Sequence, residues 1–286
     1  VETGNKTFHN TAFSRDLSLD AEHIRLSHAL VNLRYDGLSA IILSGDKKLI
    51  IGSLNIDWTP RKSITDLLRK AELELGRLKL NIKDCKSLHW LISTQKFTFL
   101  PEHLYVKGKG RQILENTTRL EQGDRIYTDF WAKESIVEVF ALPDALIDWI
   151  KSNYHGSTFS HSATALNRLY RYYPKSETFA LLHVDEHFAE FFLAQGGSLK
   201  FYNLFAFNVE EDLLYMLLFA LEQSQILAPE IELKLAGKVI KGEKLYKLLE
   251  NYVGTLKHID IPERFSTSPQ IGNQEIRRVF KLLGGI

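Results

Sequence analysis

The chain has 286 residues, 44% hydrophobic and 25% charged, which is ordinary globular composition and enough length for one large or two ordinary domains. A formal net charge of +1 argues against nucleic acid or another polyanion as the main partner. With Cys85 as the single cysteine, no disulfide framework can form within the chain, which fits a reducing compartment.

The stretch VETGNKTFHNTAFSRD lacks the apolar core of a signal peptide. The densest apolar run, Leu213 to Leu221, has nine residues, well short of the roughly 20 that span a bilayer. A cytoplasmic protein without a transmembrane segment is therefore expected. Tyr35 to Ile56 predicts a hairpin running into a third strand, entered through Asp36-Gly37 and turned again at Ser44 to Lys48. Thr59 to Leu78 predicts a helix, and Ser87 to Ser93 a strand. Leu100 to Tyr105 predicts a segment ending in Leu-Tyr. Val106 to Arg111 (VKGKGR) is basic and glycine-rich but lacks the G-K-[ST] ending of a phosphate-binding loop, so it is expected to be a solvated loop.

Asp124 to Leu142 predicts two strands, and Pro143 to Tyr154 a helix with proline in its first turn. Ser157 to Tyr173 predicts a short strand and a helix, and Tyr173 to Glu177 a linker. Asp185 to Ala206 predicts a second hairpin, with its turn at Ala194 to Ser198. The helix around Leu213 to Leu221 is apolar all round and is expected to be buried. Glu230 to Gly237 predicts a strand, followed by Lys241 to Tyr246 and a closing helix in EIRRVFKLLGGI.

The two hairpins match at an offset of 150 residues, which places Leu38 on Phe188, Ile41 on Phe191, Ile42 on Phe192, Leu49 on Leu199 and Leu54 on Leu204. Leu67 and Leu68 fall on Leu217 and Leu218 in the helix that follows. The shared order of strands and helices predicts an α/β protein made by internal duplication, with two mixed sheets flanked by helices. The first half is expected over residues 1–175, with a small insertion around 106–142, and the second over 176–286.

In this order of elements the chain resembles the duplicated actin-like, or ribonuclease H-like, ATPase fold. It is most similar to the small bacterial actin-like proteins of pilus assembly and type II secretion, and to an uncharacterised bacterial family with this fold. The resemblance runs from about Ile24 to Ile286. Its marks are the mid-chain segment IVEVFALPDALIDWIKSNYHGSTFSHSATALNRLY, the later segment IELKLAGKVIKGEKLYKLLENYVGTLKHIDIP and the closing EIRRVFKLLGGI.

The resemblance implies a nucleotide site between the halves, with phosphate loops in the first turn of each repeat. The matching positions are Asp36 and Gly37, Asp185, and on the adenosine side Gly237 and Gly242. Asp36-Gly37 is also the commonest type I′ hairpin, the turn at Asp185 has no glycine, and Lys238 stands where a second glycine is usual. These five residues therefore predict a vestigial site and a non-catalytic scaffold or interaction module with a protein partner, reaching a membrane only through that partner. No cofactor is expected on this reading. The alternative is a weak switch that binds or hydrolyses Mg-ATP. A metal-dependent nuclease would need three or four clustered carboxylates, and only Asp36 and Asp185 stand at strand ends.

His183, Asp185 and His187 alternate as metal ligands on a strand would, but the repeat puts a turn there, so a surface turn without a metal is expected. His155 and His161 flank GSTFS without any G-x-S-x-G elbow, and no catalytic residue is assigned to them. Trp58, Trp90, Trp131 and Trp149 are expected in the core.

Overall fold

Short runs rich in Val, Ile, Leu and Phe, bounded by Gly, Asp and Ser, supply the strands, and two of the resulting sheets share one plan. The structure is a computed structural model and describes residues 11–16, 20–60, 63–77, 81–175 and 178–286. Residues 1–10, Arg61, Lys62 and Leu78 of the first predicted helix span, and Ser176 and Glu177 of the predicted linker lie outside the described residues.

In chain order the elements begin with β1 (Thr11–Arg15), α1 (Ala21–Leu26), β2 (His28–Arg34), β3 (Gly37–Leu43), β4 (Leu49–Asp57), α2 (Ile64–Arg77) and β5 (Ser87–Ile92). Next come β6 (Phe97–Pro101), α3 (Gly110–Glu115), β7 (Asp124–Trp131), β8 (Ile136–Pro143), α4 (Asp144–Asn153), β9 (Thr158–His161) and α5 (Ser162–Tyr170). The remainder is β10 (Phe179–Val184), β11 (Phe188–Gln195), β12 (Ser198–Ala206), α6 (Glu210–Gln223), β13 (Glu232–Gly237), α7 (Lys244–Glu250), β14 (Thr255–His258), β15 (Ser266–Thr267) and α8 (Asn273–Arg278).

The first sheet runs β4-β3-β2-β5-β9 and the second β12-β11-β10-β13-β14. Both have the same directions along that order: two antiparallel pairings, then two parallel ones. The helices repeat too. α2 and α6 follow the third strand, α4 and α7 join the fourth to the fifth, and α5 and α8 follow the fifth. This is the duplicated α/β actin-like architecture, with β1 and β15 added to the free edge of β4. A separate sheet, β6-β8-β7, lies between β5 and α4 in sequence.

Three apolar clusters hold the two main sheets, and a fourth, around Leu114, Val137, Val139 and Ala141, packs α3 on the three-stranded one. One packs the first sheet against α2 and α4 around Trp58 and Trp90. Another packs the second sheet against α6 and α7. The third joins the two sheets through α5 and the C-terminal Phe280, Leu282 and Leu283. Trp131 is buried as well, and Trp149 is half-buried against Trp90.

Five sequence expectations about the fold need correction. The single offset of 150 is one residue out on each strand. Ile41 faces the same cluster as Phe192, and Leu30 the same as Leu181, an offset of 151 (181 minus 30). Ile50 and Leu199 instead stand 149 apart (199 minus 50), each just past a bulge. From its paired Ala194 to Leu199 the second hairpin is two residues shorter than the first from Leu43 to Ile50, and a shift of one residue exchanges the faces of a strand.

Second, Asp36-Gly37 is not a type I′ turn. The loop residues are Tyr35 and Asp36, neither at positive φ, whereas Gly196 and Gly197, with φ +60° and +83°, have the type I′ form. Third, Leu100 to Tyr105 is the end of β6 and a 3-10 turn, so α4 rather than this segment corresponds to α7.

Fourth, α6 is not buried all round. Leu213, Leu217 and Leu221 are fully buried, Leu218 is half-buried, and Tyr215 and Phe219 are 70% and 51% exposed. A helix set against one sheet covers one stripe, whatever its composition. Fifth, the closing helix is shorter than expected, since after α8 the chain winds as a buried 3-10 helix over Phe280–Gly285.

Candidate functional site

The β2–β3 and β10–β11 turns meet between the two sheets, and the charges near them are buried. Arg34, the last residue of β2, is 2% exposed. Its Nε donates to Asp36 Oδ1 at 3.0 Å, Nη1 to Ser39 Oγ at 3.2 Å and Nη2 to Asp57 Oδ1 at 3.0 Å. Nε also pairs with Asp185 Oδ1 at 3.5 Å. The second Asp36 oxygen accepts the His187 backbone N–H at 2.8 Å, which ties one turn to the other.

Lys281, from the C-terminal 3-10 helix, donates its ammonium to Asp185 Oδ2 at 2.8 Å and to Glu190 Oε1 at 2.7 Å. Glu190 also accepts Tyr202 O–H at 2.8 Å and Ser93 O–H at 3.2 Å. Lys238 reaches Asp57 Oδ2 at 2.8 Å and pairs with Glu186 at the rim. Two cations and four carboxylates are therefore buried together, with Lys238 beside them. Such charges persist out of water only when paired and hydrogen-bonded.

The proton affinities follow from that crowding. Burial works against the charge of Asp185, but Arg34 and then Lys281 outweigh it and hold the carboxyl below its usual range. Glu190 is lowered against burial mainly by Lys281. Lys281 is raised because Asp185 and Glu190 outweigh burial. Asp57 goes the other way, since its burial exceeds the pull of Arg34 and Lys238. His183 is fully buried and drawn down to about 4 by burial and then by Lys281, and neither ring nitrogen has a hydrogen-bond partner among the described residues.

Beside this network, His161 precedes α5 and pairs with Glu138 of β8, while its Nε2 lies 3.0 Å from the Thr94 carbonyl. Burial lowers the His161 pKa, but Glu138 and the Thr94 carbonyl outweigh it and leave the value raised. Thr164 Oγ1 lies 2.8 Å from Glu138 Oε2 and accepts from Trp131 Nε1 at 2.9 Å.

All five predicted site residues can be placed. Asp36 and Asp185 lie at the turns and are engaged by Arg34 and Lys281. Gly37 opens β3, where a Cβ would meet Arg34 Nη2 at 2.2 Å and the Ile56 carbonyl at 2.6 Å, so the glycine makes room for the guanidinium. Gly237, at φ +81°, brings its Cα against Val184, where a Cβ would lie 1.9 Å from the carbonyl oxygen. Gly242, at φ +87°, stands in open space.

The surface turn expected at His183, Asp185 and His187 is instead mostly internal, since His183 and Asp185 are buried and Glu186 alone is exposed. His155 is exposed and takes no part. Of the solvated loop expected over Val106 to Arg111, Val106 to Lys109 are exposed, whereas Gly110, which is buried, and Arg111 already belong to α3. Arg34, Asp57, Glu190 and Lys281 are missing from the sequence reading. The available signal was a lone charge in each of the apolar runs HALVNLR, FAEFFLA and VFKLLGGI.

The space left between the turns is a cavity of about 50 Å³, lined by Arg34, Tyr35, Ser93, Thr94, Asp185 and Phe188 among others. Ligand pockets for small molecules are typically about 300–1,000 Å³.

No curated protein matches the sequence. Residues 16–256 match the family described as protein of unknown function, DUF3822. Among solved structures, the chain is similar to a Bacteroides thetaiotaomicron VPI-5482 protein described as having an actin-like ATPase fold and unknown function. The identity is 16% and the TM-score 0.71, over 93% of this chain and 98% of that one. It is also similar to a chain of the PilM-PilN type IV pilus biogenesis complex, at 13% identity and a TM-score of 0.55, over 91% and 97%.

Proposed function

The chain belongs to the DUF3822 family and has the actin-like ATPase fold, and on that premise we propose that it is a non-catalytic scaffold whose nucleotide site is filled by its own ion pairs. The observation that carries this reading is the double engagement of Asp185, by Arg34 on one oxygen and by Lys281 on the other. A carboxylate at a phosphate site serves by holding a hydrated divalent cation. Here two side-chain cations already neutralise it.

The room between the turns also falls well below that of a nucleotide pocket. To admit a triphosphate, the protein would have to separate buried pairs at a cost of roughly 3–5 kcal/mol for each partner lost. The residues present do not fit Mg-ATP, and no hydrolytic step is assigned to them.

A protein partner suits a scaffold. The fold is shared with a chain solved within the PilM-PilN complex, which supports a partner of that class without naming it. No helix among the described residues is long and apolar enough to cross a membrane, and on this reading the partner brings the scaffold to a bilayer.

Isothermal titration of the protein with Mg-ATP tests the reading. The expected dissociation constant is weaker than about 1 mM, or about 4 kcal/mol of binding, with no ATP hydrolysis above background. A micromolar constant would instead establish the weak ATP-dependent switch.

A further inference from the structure

Away from the cleft, the turn between β7 and β8 faces α5 across a pocket of about 350 Å³, within the range of small-molecule sites. Three cations line it: Lys133 from the turn, and Arg168 and Arg171 from α5 and its C-terminal end. Arg171 pairs with Glu134 at 3.4 Å, while the Arg168 guanidinium has no ion-pair partner among the described residues.

Asn167 also lines the pocket. It is 2% exposed, and its side-chain amide makes no hydrogen bond among the described residues. The amide is not sealed from solvent, so it opens into the pocket and can donate to a ligand that accepts hydrogen bonds. One acid, Asp129, lines the same pocket, and its Oδ2 is already held by Thr164 O–H at 2.7 Å and by the His161 N–H at 3.3 Å.

We propose that this pocket binds a phosphate-bearing small molecule, with Arg168 and Asn167 donating to the phosphoryl oxygens and Lys133 and Arg171 supplying the surrounding charge. Guanidinium forks match tetrahedral oxyanions, and hydrogen bonds to a charged acceptor are about twice as strong as neutral ones. Phe130, 56% exposed at the pocket wall, offers an apolar face to the rest of a phosphomonoester. The site is separate from the cleft and stands whether or not the cleft takes ATP.

Isothermal titration of the full chain at low ionic strength decides it, with inorganic phosphate, pyrophosphate and a hexose phosphate as separate ligands. The expected result is saturable binding of at least one of them, weakened about tenfold or more by Arg168→Gln. The exposed Lys133→Ala should also weaken it, and Lys244→Ala, a surface cation of the second half, should leave it unchanged. Tighter binding of the hexose phosphate assigns the phosphomonoester, and equal binding assigns the phosphoryl group alone. If Arg168→Gln does not fold, Lys133→Ala decides the question. Absence of saturable binding for all three ligands, or affinities unaltered in the folded variants, overturns the proposal.

Discussion

Arg34 and Asp185 occupy the same position in the two repeats, 151 residues apart (185 minus 34), and their side chains pair at 3.5 Å. Each residue hydrogen-bonds or pairs with the residue that opens the next strand, Gly37 in one copy and Phe188 in the other. A duplicated architecture that began with like residues at this point would set like charges against each other across the cleft, which is unfavourable at any separation of a few ångströms. With opposite charges, the two halves hold each other closed.

Lys281 should be the most costly single side chain to remove. Lys281→Met leaves Asp185 with only Arg34 and leaves Glu190 without a cation, so it should destabilise the protein by roughly 3–5 kcal/mol in chemical denaturation. Adding Asp185→Asn and Glu190→Gln to Lys281→Met should recover a large part of that loss, because the uncompensated charges go with it. A loss below about 1 kcal/mol for the single variant would show that the ammonium is solvated.

Two buried histidines give stability opposite pH slopes. His183 titrates near 6.5 when unfolded and at about 4 when folded, so between those values the unfolded chain binds more protons and stability falls as pH drops. The contribution is roughly 3 kcal/mol in all. His89, drawn down to about 4 chiefly by burial, adds the same sign. His161 is raised, so its contribution is complete below 6.5 and is lost as pH rises through its folded value. Unfolding free energies measured from pH 4 to 8 should therefore peak near the middle, and His183→Leu should remove about half of the acidic slope. An unchanged slope in His183→Leu would mean that His183 is hydrated in the native state.

Leu217 and Tyr215 lie two residues apart on α6 and should respond very differently. Leu217 is fully buried, and Leu217→Ala should cost about 2–5 kcal/mol. Half-buried Leu218→Ala should cost less, and Tyr215→Ala, at a 70% exposed position, should fall within about 0.5 kcal/mol of the parent. Comparable losses at Leu217 and Tyr215 would place the sheet on the other side of the helix.

Gly237 and Gly242 both match an adenosine-side motif, but the structure gives them different reasons to be glycine. Gly237→Ala adds a Cβ that would overlap the Val184 carbonyl at 1.9 Å, on top of an unfavourable positive φ. Gly242→Ala meets only the φ cost, about 1 kcal/mol. Thermal melts should show Gly237→Ala as the clearly larger loss. Equal losses would make φ the whole cause and leave no close approach at Gly237.

Most of the strand and helix order, and the duplication, could be read from the chain, because short apolar runs and the turn residues that bound them are written locally. This holds even where strands such as β2, β3 and β10 are buried on both faces and show no alternation. Trp58, Trp90 and Trp131 went to the core for the same local reason. Register was less legible: the first hairpin, from Leu43 to Ile50, is two residues longer than the second, from Ala194 to Leu199, and one offset could not serve both flanking strands. The exposed face of α6 was not legible either, because Tyr215 and Leu217 are both apolar and only the position of the sheet separates them.

The charge network closes only when distant segments of the chain fold together. Beyond the local contacts of Arg34, its closing bonds join residues 91, 96 and 151 positions apart, Lys281 to Glu190, Lys281 to Asp185 and His187 to Asp36. No short-range pattern encodes such pairs. A lone lysine in VFKLLGGI and a lone arginine in HALVNLR announce a buried charge, and the folded chain alone supplies the carboxylates that make burial tolerable.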